Sequence, residues 1–429
     1  MTKPMTPDYT FVTEADIDVY RASRKETTFK ACTQVNQLFV KADGMMSCSC
    51  MGYWNILGDM RSIDAGSYFN GPMMQYIRES FIAGYEPFSF CGSCASRHSN
   101  YQVKSLNHTV IDLHIEPSSQ CNLFCEACLC TFERLSANPP ARMTLDYEVL
   151  KKSLHEIKAA GLSLRSFALV GFGEPLFNSH TPDMARLGRE LFPHANIFVD
   201  TNANFGKRRA LELADCGLTT VRLALDGVDQ ESYQSYRRNG NFAQALQFTR
   251  DLAEAIRRTN SQTRVLWKYI LFDHNDQDHQ LLQALAMARE IGIPIQFDGT
   301  VGSNASKRPP AEVEAVVGHK IGCNIDPSST TADAPQLGEP DASSPAGYVR
   351  ARFRRRMAPR MEIGPAITVQ PDDAKGGGAS EHPTIEVDAS AALRLVADPP
   401  VVAADALQPI SLIGRLAARF RRVLRDDHI

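Results

Sequence analysis

The sequence predicts an α/β protein whose main domain is a partial barrel of six strand–helix units. Three observations predict this fold: six short apolar runs, helical periodicity between them, and a length of 429 residues, enough for two or three domains. Runs that are apolar throughout are typical of parallel strands, because both faces of such strands are buried. Six units are fewer than the eight of a complete TIM barrel, so the closed form would be a partial, TIM-like (β/α)6 barrel. An open doubly wound sheet stays possible.

The predicted strands and helices alternate through the middle of the chain. Leu150, Leu154 and Ile157 recur at three- and four-residue spacing, which is typical of the buried face of a helix. Alternation of strands and helices favours parallel pairing, because a helix can carry the chain back to the start of the next parallel strand. The predicted strands occupy residues 109–116, 166–172, 196–201, 220–226, 264–272 and 293–297.

Composition divides the chain into three regions: residues 1–104, 105–310 and 311–429. The first is a small cysteine-rich region with few regular repeats, and the second holds the predicted barrel. The third is rich in Pro, Ala, Asp and Ser, so we expect a largely disordered tail. Two basic segments interrupt it, at 348–360 and 411–425. The second is amphipathic if helical and suits contact with a membrane surface or a partner protein, although a solvated tail is the simpler interpretation.

Charge and hydropathy exclude several classes of protein. The chain has 46 basic and 49 acidic residues, a net charge of −3, which argues against bulk binding to nucleic acid. No apolar run suggests a secretory signal or a membrane-spanning helix, so we expect a cytoplasmic protein, peripheral to the membrane at most. In a reducing compartment the 11 cysteines indicate metal or redox chemistry rather than a disulfide framework.

The strongest chemical signal directly follows the first predicted strand. Cys121, Cys125 and Cys128 have C-x3-C-x2-C spacing. Three thiolates this close can hold three corners of an iron–sulfur cubane and leave one iron open to another ligand. Cys130 is a further candidate ligand, but it lies only two residues after Cys128. A structural zinc site typically uses widely separated cysteine pairs and fits this triple less well.

Further motifs follow the next three predicted strands. They are GFGEP at 171–175, DTNAN at 200–204 and LDGVDQESYQSYRRNGNF at 225–242. Together with the triple cysteine, over about residues 30–308, this order resembles the radical S-adenosylmethionine (SAM) enzymes. GFGEP is similar to the Gly-Gly-Glu-Pro motif of that family, which holds the amino group of SAM.

The resemblance implies two cofactors and a reaction. A [4Fe–4S] cluster with three cysteine ligands would lie at the carboxyl ends of the strands, with SAM on its open iron. One electron from a reductant such as flavodoxin or ferredoxin would cleave SAM to methionine and a 5′-deoxyadenosyl radical, which abstracts hydrogen from the substrate. Lys268 and Asn275 are further residues that could face the pocket. The residues implied to contact SAM are Gly173, Glu174, Pro175, Asn202 and Asp226.

Five more cysteines precede the predicted barrel, and their segments resemble the auxiliary-cluster module of SPASM or twitch type. In most such proteins this module follows the barrel. The resemblance implies a second [4Fe–4S] cluster with four thiolate ligands. A four-cysteine zinc site is the rival interpretation, because the paired spacing is similar. The implied ligands are Cys32, either Cys48 or Cys50, Cys91 and Cys94.

Two functions from different classes remain open on the sequence. The first is a radical SAM enzyme acting on an unidentified peptide or small sugar-like metabolite, with the auxiliary cluster available as an electron acceptor. The second is a non-catalytic iron–sulfur or zinc protein, a scaffold or electron carrier that docks through its basic tail. Cys216 and Cys323 have no partner in the sequence pattern, and we expect Cys216 to be a buried, small apolar residue.

Overall fold

The computed structural model describes most of the first 322 residues. Cys50, Cys323 and the two basic segments at 348–360 and 411–425 lie outside the described residues, so the predictions made for them stay predictions. The described ranges are 10–28, 31–48, 55–94, 97–98, 103, 105–126, 128–134, 141–300 and 304–322.

Fourteen strands and eleven α-helices alternate along the described chain, with short 3-10 turns between some of them. The strands are β1 (Thr10–Phe11), β2 (Lys25–Glu26), β3 (Ala31–Cys32), β4 (Gln37–Val40), β5 (Met45–Ser47), β6 (Asn55–Asp59), β7 (Tyr85–Glu86), β8 (Arg97–His98), β9 (Val110–Ile115), β10 (Ser163–Leu169), β11 (Asn196–Thr201), β12 (Thr220–Ala224), β13 (Arg264–Leu271) and β14 (Ile295–Gly299). The helices are α1 (Ile17–Ser23), α2 (Ala65–Phe69), α3 (Pro72–Ile82), α4 (Leu129–Arg134), α5 (Tyr147–Ala159), α6 (Thr181–Leu191), α7 (Lys207–Ala214), α8 (Gln230–Tyr236), α9 (Phe242–Thr259), α10 (Asp278–Ile291) and α11 (Pro310–Val317).

Six parallel strands, β9 to β14, form the centre of the fold in sequential spatial order. Right-handed crossovers in this order place every connecting helix on the same face, so the sheet curls around its other face. A doubly wound sheet would instead reverse its strand order at a switch point. The predicted α/β fold with a parallel sheet is confirmed, and the strand order is that of a partial barrel.

The apolar runs that predicted these strands fill the core. Along β13, Val265, Leu266 and Trp267 are buried in succession, as expected for a strand that is covered on both faces. The second predicted strand is shifted, since β10 ends at Leu169 and the residues from 171 onward leave the sheet. The carboxyl end of β10 is therefore followed by a loop where the sequence predicted more strand.

The N-terminal region continues the barrel sheet. β4 pairs in parallel with β9, from Gln37 opposite Asp112 to Val40 opposite Ile115. β5 and β6 then extend the sheet by antiparallel pairing, and β1 adds a parallel edge strand. The cysteine-rich region predicted over 1–104 is thus joined to the barrel through main-chain hydrogen bonds.

Helix α2 attaches this N-terminal region to the outer helix layer. It packs against α5, the crossover between β9 and β10. At Gly66 a Cβ would lie only 2.4 Å from the backbone oxygen of Glu156, so the two helices touch through their backbones. Close packing of this kind fixes the region on the helix-covered face of the sheet.

Helix α11 extends the ordered chain beyond residue 310, where the sequence placed the start of the tail. Val313 and Val317 are buried where it packs against α10. Burial of these two side chains on a neighbouring helix explains why residues that composition assigned to the tail are helical here. Among the described helices, none has the length and hydropathy needed to cross a bilayer.

Candidate functional site

The carboxyl ends of β9, β10, β11 and β12 bring the predicted SAM-site residues together. The three cysteines lie on the loop after β9, and Glu174 follows β10. Asn202 and Asp226 come directly after β11 and β12. Parallel strands end at one edge of the sheet, so loops that are far apart in sequence meet there.

The cysteine loop folds against the loop after β10. The thiol of Cys128 lies 3.6 Å from the backbone oxygen of Phe172. The Cys125 thiol interacts electrostatically with the thiols of both Cys121 and Cys128, which places all three in one group. Burial raises the pKa of Cys121, and it raises that of Cys125 to about 11. Metal ligands bind as thiolates, so a bound cluster would oppose this rise.

The donor set fits an iron–sulfur cluster. Its three donors are thiols on one loop, and thiolates are the ligands that iron–sulfur clusters take in proteins. A cubane attaches each thiolate to a different iron. Cys130, the further candidate, is buried on α4, and its thiol donates to the backbone oxygen of Ser119 at 3.6 Å.

Gly173 and Glu116 hold the loop after β10 in place. A Cβ at Gly173 would lie 2.1 Å from the backbone oxygen of Ser118, so only glycine lets this loop approach the cysteine loop. Glu116 is fully buried at the end of β9 and accepts from the backbone N–H of Phe172 at 2.8 Å. Its other oxygen accepts from Ala42 N–H at 3.2 Å, in the β4–β5 turn. Glu116 was not among the predicted site residues, although an acidic residue that closes an apolar run is a signal for such a role.

Glu174 ties β10 to β11. One carboxylate oxygen accepts from the Thr201 hydroxyl at 2.6 Å and from Leu176 N–H at 3.2 Å. The other accepts from Asn202 N–H at 2.8 Å. Burial raises the pKa of Glu174 to about 7, although these three donors and Arg237 oppose the rise. A positive ligand group beside this carboxyl would favour its ionised form.

Asn202 lies beside the first cysteine. Its amide nitrogen is 3.7 Å from the Cys121 sulfur and donates to the Asn122 side-chain oxygen at 2.8 Å. Its own side-chain oxygen accepts from Asn204 N–H at 2.9 Å. The side chain is thus fixed with its N–H groups toward the cysteine loop.

Asp226 is fully buried, and protein groups occupy both of its carboxylate oxygens. One accepts from Ile270 N–H at 2.7 Å, and the other pairs with Arg237 Nε at 2.6 Å. The same guanidinium places Nη1 at 3.7 Å from the Cys125 sulfur. Arg237 lies inside the 225–242 motif, but the sequence analysis did not assign it a role.

Two further residues suggested by the sequence have structural partners here. Lys268 on β13 forms an ion pair with Asp298 at 3.8 Å. Asn275 is fully buried and donates to the backbone oxygens of Asp226 and Ile270, each at 3.0 Å. Cys216 is fully buried, as expected for a small apolar residue.

The structure also gathers Cys32, Cys48, Cys91 and Cys94 into one group. The Cys48 thiol interacts electrostatically with the other three, and the Cys91 thiol with Cys32 and Cys94. Burial raises the pKa of both Cys48 and Cys91. Between the two alternatives that the sequence left open, Cys48 lies in this group, and Cys50 is outside the described residues.

Cys48 of this four-cysteine group lies below the carboxyl edge at which the cysteine triple is found. The β4–β5 turn is at the carboxyl edge, where Glu116 N–H bonds to Val40. Ser47 pairs with Phe39, so Cys48 comes one residue farther from that edge, about level with Leu113 in β9. Tyr68 of α2 interacts electrostatically with Cys48.

Comparison with known families supports the assignment of the barrel. Residues 115–280, from the last residue of β9 into α10, match the Radical SAM superfamily. The chain contains a radical SAM domain. The matched segment includes the cysteine triple and the motifs that follow β10, β11 and β12.

Several known proteins are similar in sequence to part of this chain. GTP 3′,8-cyclase 2 of Mycobacterium bovis is 29% identical over 144 residues, which cover 34% of this chain and 39% of that protein. GTP 3′,8-cyclase of Chlorobaculum tepidum is 29% identical over 136 residues, covering 32% and 39%. The chain therefore spans less than half the length of these relatives. Among solved structures, a radical SAM methyltransferase from Sphaerobacter thermophilus aligns with a TM-score of 0.37 and 17% identity, covering 47% of this chain and 62% of that one.

A radical SAM domain implies a [4Fe–4S] cluster and SAM, so the prediction of these two cofactors is confirmed at the level of the family. Members of the family are enzymes that use SAM and a reductant. The resemblance drawn from the sequence is likewise confirmed for the barrel. The second, four-cysteine site lies outside the matched residues 115–280.

Proposed function

We propose that the protein is a radical SAM enzyme whose cluster is held by Cys121, Cys125 and Cys128. The observation that carries this proposal is the meeting of the three thiols with the 171–175 loop at the carboxyl edge of a parallel barrel. With its cluster and SAM bound, such a site supplies one-electron cleavage of SAM and a radical that abstracts hydrogen. The remaining residues of the site would bind SAM and orient it.

Glu174 is proposed to receive the ammonium group of SAM. Its carboxyl is buried beside the cysteine loop, and burial raises its pKa to about 7. A cationic group bound next to it would favour the carboxylate form. Gly173 and Pro175 shape the turn that brings backbone close to the ligand. Asn202, next to Cys121, is proposed to orient the same region.

Asp226 was implied by the resemblance as a SAM contact. Because its fully buried carboxylate is paired with Arg237, we propose that it acts by holding Arg237.

We also propose that Cys32, Cys48, Cys91 and Cys94 hold a second [4Fe–4S] cluster. Four mutually interacting thiols supply a complete ligand set. Cys48 lies below the carboxyl end of β9, and we infer that the group is separate from the mouth where SAM and substrate would meet. This separation favours exchange of electrons with the first cluster or with a reductant over direct contact with a substrate.

The substrate class is proposed from the sequence as a peptide or a small sugar-like metabolite. The curated relatives are named GTP 3′,8-cyclase, and they match about a third of this chain. GTP is therefore the first nucleotide to test, beside peptides and sugars.

SAM cleavage tests the proposed function directly. The anaerobically reconstituted protein should convert SAM to 5′-deoxyadenosine and methionine when dithionite is added. Cys125→Ala should abolish this product because it removes a cluster ligand. Cys216→Ala, which removes a buried thiol elsewhere in the barrel, should keep it. A wild-type protein that binds iron and leaves SAM intact would instead be a scaffold or electron carrier.

A further inference from the structure

A buried ion pair connects the end of β12 to the cysteine triple. Asp226 is fully buried, and β13 fixes its carboxylate through Ile270 N–H at 2.7 Å. Asn275 holds the Asp226 backbone oxygen at 3.0 Å, so the residue is fixed from two directions. Its second carboxylate oxygen holds Arg237 Nε at 2.6 Å.

Arg237 follows α8 and reaches from Asp226 to the cysteine loop. Its side chain is 13% exposed, and Nη1 lies 3.7 Å from the Cys125 sulfur. Nε faces the carboxylate, whereas Nη1 faces the thiol, so the positive charge stands closer to the sulfur than the negative charge does. Water is largely excluded, so this charge is weakly screened.

We propose that Arg237, positioned by Asp226, raises the reduction potential of the cluster held by Cys121, Cys125 and Cys128. This inference rests on the proposed function. One electron from the external reductant adds a negative charge to the cluster, and a guanidinium beside a ligand sulfur stabilises that charge. Hydrogen bonds to cluster sulfurs and local net charge are known determinants of such potentials.

The next residue in the chain offers a matched control. Arg238 also carries a positive charge, but its side chain is 34% exposed and pairs with Glu126 at 3.6 Å. Replacing either arginine by glutamine removes one charge from the same turn. It is Arg237 whose guanidinium lies beside the Cys125 sulfur.

The test is a redox titration followed by electron paramagnetic resonance on the reconstituted full-length protein. The first cluster is identified as the signal that changes when SAM is added. Arg237→Gln should lower the equilibrium constant for reduction about tenfold, which is 59 mV for one electron. Arg237→Lys, which keeps the charge, should restore most of the wild-type potential. Arg238→Gln should shift the potential much less, because solvent screens that charge.

The inference is overturned if Arg237→Gln leaves the potential of a fully loaded cluster unchanged. It is also overturned if Arg237→Gln and Arg238→Gln shift the potential equally, since the effect would then be bulk charge. Should Arg237→Gln fail to fold with Asp226 unpaired, the double variant Asp226→Asn/Arg237→Gln is titrated by the same criteria. If the wild-type protein cleaves SAM but these shifts are absent, the inference about Arg237 fails while the proposed function stands.

Discussion

At the scale of single residues, the site depends on buried polar groups whose partners come from distant segments. Glu116 bonds to backbone N–H groups on both the loop after β10 and the β4–β5 turn. Glu174 likewise joins β10 to β11. Each carboxylate accepts from several donors, and a buried donor left without an acceptor costs about 1–3 kcal/mol.

Replacing Glu116 by glutamine should therefore loosen the site. The amide keeps the shape but turns one oxygen into an N–H donor that faces backbone N–H groups. We expect Glu116→Gln to lose about 1–3 kcal/mol of stability and to weaken SAM binding. Thermal unfolding and calorimetric titration with SAM measure the two effects. Glu212→Gln, a half-buried position in an ion pair with Arg208 and Arg209 on α7, is the control and should change both much less. Equal effects at both positions would contradict the anchoring role of Glu116.

At the scale of elements, pairing of β4 with β9 decides how the N-terminal region meets the barrel. His114 lies on β9 at this junction, with one ring nitrogen 2.8 Å from the Val170 backbone oxygen and the other 3.2 Å from the Gln37 side chain. Its ring therefore links β4, β9 and the end of β10. Burial lowers the pKa of His114 to about 4, so the imidazole is neutral in the folded protein at neutral pH.

This shift gives a pH dependence of stability with a definite sign. Between pH 6.5 and 4 the unfolded chain binds a proton at His114 that the folded protein does not, so stability falls as pH falls through that window. The full shift corresponds to roughly 3 kcal/mol. In His114→Gln, the melting temperature should drop less between pH 7.5 and 5 than it does in wild type. His155→Gln, at an exposed position on α5, controls for loss of an imidazole. Identical pH profiles for wild type and His114→Gln would refute the assignment.

At the scale of the whole molecule, the two groups of cysteines meet the sheet at different levels. The triple lies at the carboxyl edge, where Cys128 meets Phe172. Cys48 of the four-cysteine group lies about level with Leu113 in β9. From that level to the end of β9 at Ile115 runs about 7 Å of strand, at roughly 3.3 Å per residue.

Loss of the second group should leave the first one working. Cys91→Ser is expected to lower bound iron to about half while dithionite still drives SAM cleavage, because dithionite reaches the first cluster directly. Iron analysis and 5′-deoxyadenosine yield measure this. Reduction by flavodoxin should become slower if the second cluster passes electrons. Finding zinc in place of iron at this site in the wild-type protein would contradict the proposal of a second iron–sulfur cluster.

The basic segment at 411–425 carries a separate prediction. Deleting residues 411–429 should leave SAM cleavage unchanged, because the radical SAM domain spans residues 115–280. Membrane contact through this segment predicts that the full-length protein floats with anionic liposomes and the truncated one does not. Equal flotation of the two proteins would remove the membrane interpretation.

The sequence by itself determined the local features of this protein. Strand positions follow from runs of apolar residues, and the predicted cluster ligands Cys121, Cys125 and Cys128 follow from spacing within eight residues of chain. Motifs after successive strands predicted one edge of the sheet as the site, because parallel strands end together. All of these depend on residues near one another in the chain.

Tertiary structure alone decided which distant groups touch. The contact of Arg237 with Cys125 spans 112 positions, and that of Glu116 with Ala42 spans 74. The pairing of β4 with β9 set the level of Cys48 below the carboxyl end of β9. Such contacts depend on strand register and loop approach, which many sequences with the same local pattern could satisfy differently.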